Sequence, residues 1–302
     1  MRPIAIVGAP SSIGIRPYDD GGMRRLDHAP GALREQGLVD RLAARDWGDV
    51  IPPPYRDWDR PPGRARNEKE VETYSRALAE RVAAAAEGGA FVVVLGGECS
   101  IVLGCLLGIR SGHVPIGLAY VDAHADFATP AESITGSVAS MCLGLAVGRG
   151  DTPLARLADP GPLVRPEDVA LIGRRDHAEA WYGHDALAAS PILDVPDDGV
   201  RERGLQRTGD AALERLAGDG MGGFWVHLDA DVLDPTVIPA VDSPIPGGLG
   251  LDEAAELLGR LVRHPGALGL ELTIYDPGLD PERTSAARLA SLLTRALATV
   301  DT

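Results

Sequence analysis

At 302 residues, with 45% hydrophobic side chains, 37 glycines and 24 prolines, the chain can bury a sizeable core as one large α/β domain or two ordinary ones. A formal charge of −15 and a pI near 4.8 make nucleic acid and an anionic membrane poor partners. Cys99, Cys105 and Cys142 give no disulfide framework. No apolar run nears the roughly 20 residues of a membrane span, and the run at 4–7 is too short for a signal sequence, so a soluble, cytoplasmic protein is expected.

Residues 2–10 read as a first strand stopped by Gly8 and Pro10. Residues 11–31 read as loop, since Gly14, Pro17, Asp19-Asp20-Gly21-Gly22 and Pro30-Gly31 break any periodicity. A helix is expected over 33–42, then a proline-rich surface excursion with Tyr55 and Trp58 as packing anchors. No independent core follows it, so the reading is a single domain over 1–302. Asn67 is placed to cap a long helix to Ala86, with Glu70 in the capping-box position, and Gly88-Gly89 end it. Residues 91–95 read as a buried strand, followed by Gly96-Gly97-Glu98-Cys99-Ser100 and a helix to about Gly108. Further strands are expected at 117–121, 169–173, 223–228 and 268–272, and helices near 138–147, 208–217, 252–263 and 284–298. Strands alternating with helices imply a parallel sheet covered on both faces, with the ligand crevice beyond the carboxyl ends of the strands.

The concentrated polar clusters all follow strands at that end: 98–100, 122–126, 174–177 with Asp176, 229–231 and Glu271. Asp122, His124 and Asp126 alternate, so their side chains converge on one side of an extended segment. Asp229 and Asp231 repeat the spacing after a second apolar run. Like charges packed together at buried strand ends need a cation to offset their repulsion. Five such ligands exceed what one ion usually takes, and bridging carboxylates suit a pair of ions that would turn water into a nucleophile for an sp² carbon. Oxygen ligands with one imidazole suit manganese better than zinc or copper. A single structural ion is the competing reading.

Gly96-Gly97-Glu98-Cys99-Ser100, Asp122-Ala-His-Ala-Asp126, Asp229-Ala-Asp-Val-Leu-Asp-Pro235 and Pro246-Gly-Gly-Leu249 resemble, in order and spacing, the ureohydrolase superfamily of arginase, agmatinase and formimidoylglutamase. The resemblance runs from Ile4 to about Pro277. It implies a three-layer α/β/α fold with a mainly parallel sheet of roughly eight strands. It also implies a dinuclear manganese site, hydrolysis of guanidine or amidine C–N bonds on a small cationic substrate, and a homo-oligomer, trimer or hexamer. By resemblance Asp122, His124, Asp126, Asp229 and Asp231 become ligands of one or two manganese ions. Asp126 would also hold the attacking hydroxide, and Glu271 would meet the guanidinium.

Several positions depart from that pattern. Cys99 stands where the superfamily has a ligand histidine, and a thiolate is softer than manganese prefers. Ala139 stands where many members carry a histidine that moves protons at the mouth of the site. Thr135, Ser137 and Asp176, the carboxylate of the 174–177 cluster, are the polar candidates for substrate binding beside Glu271, but Ala128 and Ala178 replace an asparagine and an aspartate. His227 precedes Asp229 by two residues, where it would support the ligands from behind; it and His177 are the candidates to replace the missing histidine. The leading expectation is an amidinohydrolase acting on something other than plain arginine. The alternative is a degenerate member that binds metal in a binding or structural role.

Overall fold

Unbroken buried runs such as Phe91–Gly96, Phe224–Asp229 and Ala267–Thr273 are covered on both faces, which places them at the centre of a sheet. This structure, a computed structural model, describes residues 2–57, 59–110, 112–113, 115–158, 160–178 and 182–298. Trp58, expected as a packing anchor, lies outside them.

Among the described residues, eight strands form one sheet: β1 Ile4–Ala9, β2 Arg45–Asp49, β3 Phe91–Gly96, β4 Gly117–Val121, β5 Val169–Ile172, β6 Leu193–Val195, β7 Phe224–Asp229 and β8 Ala267–Thr273. The order is β2-β1-β3-β8-β7-β4-β5-β6, and every adjacent pair is parallel. The helices are α1 Ala29–Glu35, α2 Leu38–Arg41, α3 Glu68–Ala86, α4 Ile101–Arg110, α5 Cys142–Ala146, α6 His184–Ala188, α7 Asp197–Arg203, α8 Leu205–Leu216, α9 Leu251–Val262 and α10 Thr284–Leu297. α3 packs on α4, while α8, α9 and α10 pack in a row, giving the expected three layers.

Sheet order explains where a ligand can sit. The chain leaves β4 toward β5 on one side and leaves β7 toward β8 on the other, although β4 and β7 are neighbours. Connections diverging from adjacent strands open a crevice at their carboxyl ends. Val121 pairs with Leu228, so Asp122 and Asp229, one step on, stand level across it.

Local departures have local causes. The helix expected over 33–42 is split, because Gly37 takes a left-handed conformation (φ 72°) between α1 and α2. Asn67 is also left-handed and makes no side-chain cap on α3. Its amide instead accepts from the Arg56 and Asp57 N–H groups and donates to the Ile13 carbonyl, tying the proline-rich excursion to the loop after β1. The segment near 138–147 is a 3-10 turn, Val138–Met141, running into α5.

Candidate metal centre

Two rows of side chains, one above the other on the same sheet face, build the site. Tyr120 pairs with His227 and His227 with Glu271, so these three form a row across β4, β7 and β8. Two residues further along each strand lie Asp122, Asp229 and Thr273. All six are buried.

Hydrogen bonds fix the upper row and the loops beyond it. Asp122 Oδ1 accepts from the His124 N–H at 2.7 Å, and Asp229 Oδ1 accepts from the Asp231 N–H at 2.8 Å, so each D-x-[HD] turn closes on its own first carboxylate. The Cys99 thiol donates to Asp229 Oδ2 at 3.0 Å, and the Thr273 hydroxyl to the same oxygen at 3.3 Å. His124 Nδ1 lies 2.9 Å from Asp231 Oδ2 and 3.6 Å from Asp122 Oδ1. The Tyr120 hydroxyl donates to Asp126 Oδ2 at 2.7 Å. Asp126 has φ 46°, a strained value for a residue with a side chain.

The loop carrying Cys99 is braced by Glu98, which does not face the site. Its carboxylate accepts from the Ser11 hydroxyl, the Gly14 N–H, and both the N–H and hydroxyl of Ser100, at 2.7–3.1 Å. Gly97 permits this approach, since a Cβ there would sit 2.1 Å from the Ser11 carbonyl oxygen.

Ligand atoms of Cys99, Asp122, His227 and Asp229 lie within 4.8 Å of one another, and so do those of Asp122, His124 and Asp231. Asp122 belongs to both groups. Among the described residues, its Oδ2 and the Nε2 of His227 are buried without a hydrogen-bond partner. Electrostatics point the same way. Burial, then the charges of Asp231 and Asp122, push the Asp229 carboxyl well above the usual carboxylate range. Burial and the Asp122 charge do the same to Asp126. Burial pushes the Cys99 thiol up, and the charges of Asp229, Asp126 and Asp122 push it further. Burial opposes charge on His227, but hydrogen bonds and charge from Asp122 and Glu271 raise it to about 10. A cluster in which Asp229 and Asp126 are both pushed up by neighbouring carboxylates is short of positive charge when no ion is bound. The residues fit divalent ions.

The centre opens into a cleft of about 280 Å³. Cys99, His124, Asp126, Asp229 and Asp231 line its floor, Thr135, Ser137, Ala139 and Ser140 one wall, and Arg16, Arg24, Tyr182, Asp242 and Ile274 other parts. Two residues expected to touch substrate are placed elsewhere: neither Glu271 nor Asp176 is among the described residues lining the cleft. Glu271 lies in the lower row, three residues before Ile274, because strand alternation and register hold it against His227. The residue that reaches the cleft from that strand's end is Ile274, at φ 63°, an outlier for a β-branched residue. Asp176 accepts from the Ala125 N–H at 2.8 Å and bonds His184 and Arg174, so it holds the 122–126 loop from behind. His177 is exposed, and neither it nor His227 lines the cleft in place of the missing histidine.

With this geometry in hand, the model of the arginase family matches residues 2–299. The chain belongs to the arginase family. It is similar to the arginase of Bacillus caldovelox, 30% identical over 299 residues and covering 97% of each chain. It is 28% identical to the mitochondrial arginase-2 of Rattus norvegicus over 308 residues, covering 97% of this chain and 82% of that one. The solved structure of Bacillus caldovelox arginase matches this arginase-family fold with a TM-score of 0.87, at 28% identity over 100% of both chains. The formimidoylglutamase of Bacillus subtilis shares the fold, with a TM-score of 0.76 at 21% identity over 99% of this chain and 87% of that one. This arginase-family hydrolase therefore carries a metal-capable cluster in a metal-dependent family. No helix among the described residues is long and apolar enough to cross a membrane.

Proposed function

We propose that this arginase-family chain hydrolyses a C–N bond of a small guanidine or amidine other than plain arginine. Manganese would be held by Asp122, His124, Asp126, Asp229 and Asp231, with Cys99 beside them. When bound, such ions supply activation of water and polarisation of the sp² carbon. The observation that carries the substrate reading is Ile274: the residue that reaches the cleft from the end of β8 is apolar, so that strand offers a guanidinium no carboxylate to pair with.

The chain's own groups support the rest. Asp126 lines the cleft, and the Tyr120 hydroxyl holds one of its oxygens. It is the group assigned to take a proton from the attacking water and return it to the leaving amine. Ala139 offers no second proton carrier, so substrates needing little help, such as an N-hydroxyguanidine, suffer least; general acid–base help is worth about 10² to 10⁴ in rate. Ser137 accepts from the Arg16 N–H at 3.0 Å and Thr135 from the Ser137 N–H at 3.2 Å, which sets both hydroxyls at the wall. They suit the polar tail of a substrate. A cytoplasmic homo-oligomer, trimer or hexamer, completes the proposal.

The experiment strips the protein with chelator and reloads it with manganese. Arginine, agmatine, guanidinobutyrate, formiminoglutamate and N-hydroxyarginine are then assayed for urea, hydroxyurea or formamide. Metal-dependent release from one of them supports hydrolysis. Tight metal binding with no release from any supports the binding or structural role, which Ala139 and Cys99 favour. Ile274→Glu should raise kcat/KM for arginine about tenfold or more by supplying a charged partner.

A further inference from the structure

His227 occupies the centre of the sheet with one nitrogen spoken for and the other not. Its Nδ1–H donates to Glu271 Oε1 at 2.7 Å, and Glu271 is itself wholly buried. Tyr120 stacks on the ring at 4.0 Å between centroids, which locks its plane. With the proton held on Nδ1, the Nε2 lone pair points toward Asp122 Oδ2, 3.6 Å away. Among the described residues neither atom has a hydrogen-bond partner. In that tautomer two buried acceptors face each other with nothing between them, which an ion entering there and taking the place of a second ring proton resolves. The Cys99 sulfur and an Asp229 oxygen complete a cage around the same point, all within 4.8 Å of one another.

We propose that His227 Nε2 is a direct ligand of the ion beside Cys99, with Glu271 as the carboxylate that orients it. The inference rests on the metal-centre reading above and adds a ligand to it. A buried carboxylate that takes the far N–H of an imidazole fixes the tautomer and raises the basicity of the other nitrogen, the usual support of a metal-bound histidine. The two positions then differ in character. Asp122, His124 and Asp231 offer one nitrogen and carboxylate oxygens; Cys99, His227, Asp122 and Asp229 add a sulfur, once the thiol proton has passed to solvent. The second set is softer, and it favours cobalt(II) or zinc over manganese.

Cobalt(II) is the probe. The wild-type protein should bind it at both positions and show a near-ultraviolet thiolate-to-cobalt band, and X-ray absorption should count an imidazole on each ion. His227→Gln should lose the ion beside Cys99, and the band with it, while the other ion stays. Glu271→Gln should weaken that one position about 10- to 100-fold. Full stoichiometry and an unchanged spectrum in His227→Gln would overturn the inference while leaving the metal centre standing. If that variant does not fold, an imidazole on only one ion of the wild-type protein overturns it equally. A wild-type protein that binds no ion overturns the metal-centre reading, and this inference with it.

Discussion

His227 and Glu271 face each other across β7 and β8 at 2.7 Å, directly beneath the level of Asp122 and Asp229. The pair explains why Glu271 is absent from the cleft, and why the strand end above it is free to present Ile274 instead. A buried row therefore lies under Asp122 and Asp229, and the cleft face is left to the loops.

Tyr120 belongs to that row, and its hydroxyl donates to Asp126 Oδ2. Tyr120→Phe keeps the ring stacked on His227 but leaves a buried carboxylate oxygen short of a donor, at a cost of about 1–3 kcal/mol. Metal affinity measured by calorimetry should fall roughly tenfold or more while the far-ultraviolet circular dichroism stays unchanged. Equal affinity in the variant would mean that the bond does not hold Asp126.

Asp229→Asn and Asp231→Asn keep the shape of the site and remove charge from it. Each should lower bound manganese, read by elemental analysis after dialysis, because a neutral amide cannot offset a divalent ion in a buried cluster. Unchanged stoichiometry in both variants would sink the ligand assignment.

Cys99 gives the ion beside it a poor ligand for manganese, since the thiol must lose a proton that burial and three neighbouring carboxylates hold in place. Cys99→Ala should lower manganese occupancy at one position only, and Cys99→His should raise it. An affinity untouched by Cys99→His would place the side chain outside the coordination sphere.

Much of this was legible in the sequence. The D-x-H-x-D and D-x-D clusters after apolar runs mark where the buried acidic side chains gather, because strand alternation converts spacing directly into a shared face. The row beneath was not legible, since it depends on β7 lying between β4 and β8, which only the sheet order reveals. Resemblance alone assigns Glu271 to the substrate, and its pairing with His227 follows only from the sheet order; Tyr120, two residues before Asp122, carries an alternation signal in the sequence itself. The edge strands β2 and β6 gave no pattern: Arg45–Asp49 is largely exposed and Leu193–Val195 spans three residues.

Glu132 ties the cleft loop to the body of the protein. Its carboxylate accepts from the Thr129 N–H and hydroxyl and from both terminal nitrogens of Arg149, at 2.8–3.1 Å. Burial pushes its pKa up, but the Arg149 and Thr129 bonds and the Arg149 charge outweigh it, and the folded value lies below the unfolded 4.5. A depressed carboxyl stabilises fully above the unfolded value and loses that contribution as pH falls through the folded one. Glu132→Gln should thus cost about 0.5 kcal/mol near neutral pH, the scale of a solvent-exposed pair. The Tm difference between wild type and variant should close in acid, below the folded pKa of Glu132. A difference that persists in acid would assign the effect to something other than the charge.

The most direct measurement is an internal competition: manganese-loaded wild-type protein given arginine and N-hydroxyarginine together, with urea and hydroxyurea counted from the same vessel. With Ile274 at the β8 end of the cleft and Ala139 at its mouth, the ratio of kcat/KM values should favour the modified guanidine, by up to the roughly 10² to 10⁴ that general acid–base help is worth. Arginine consumed as efficiently as its competitor, or more so, would contradict the account.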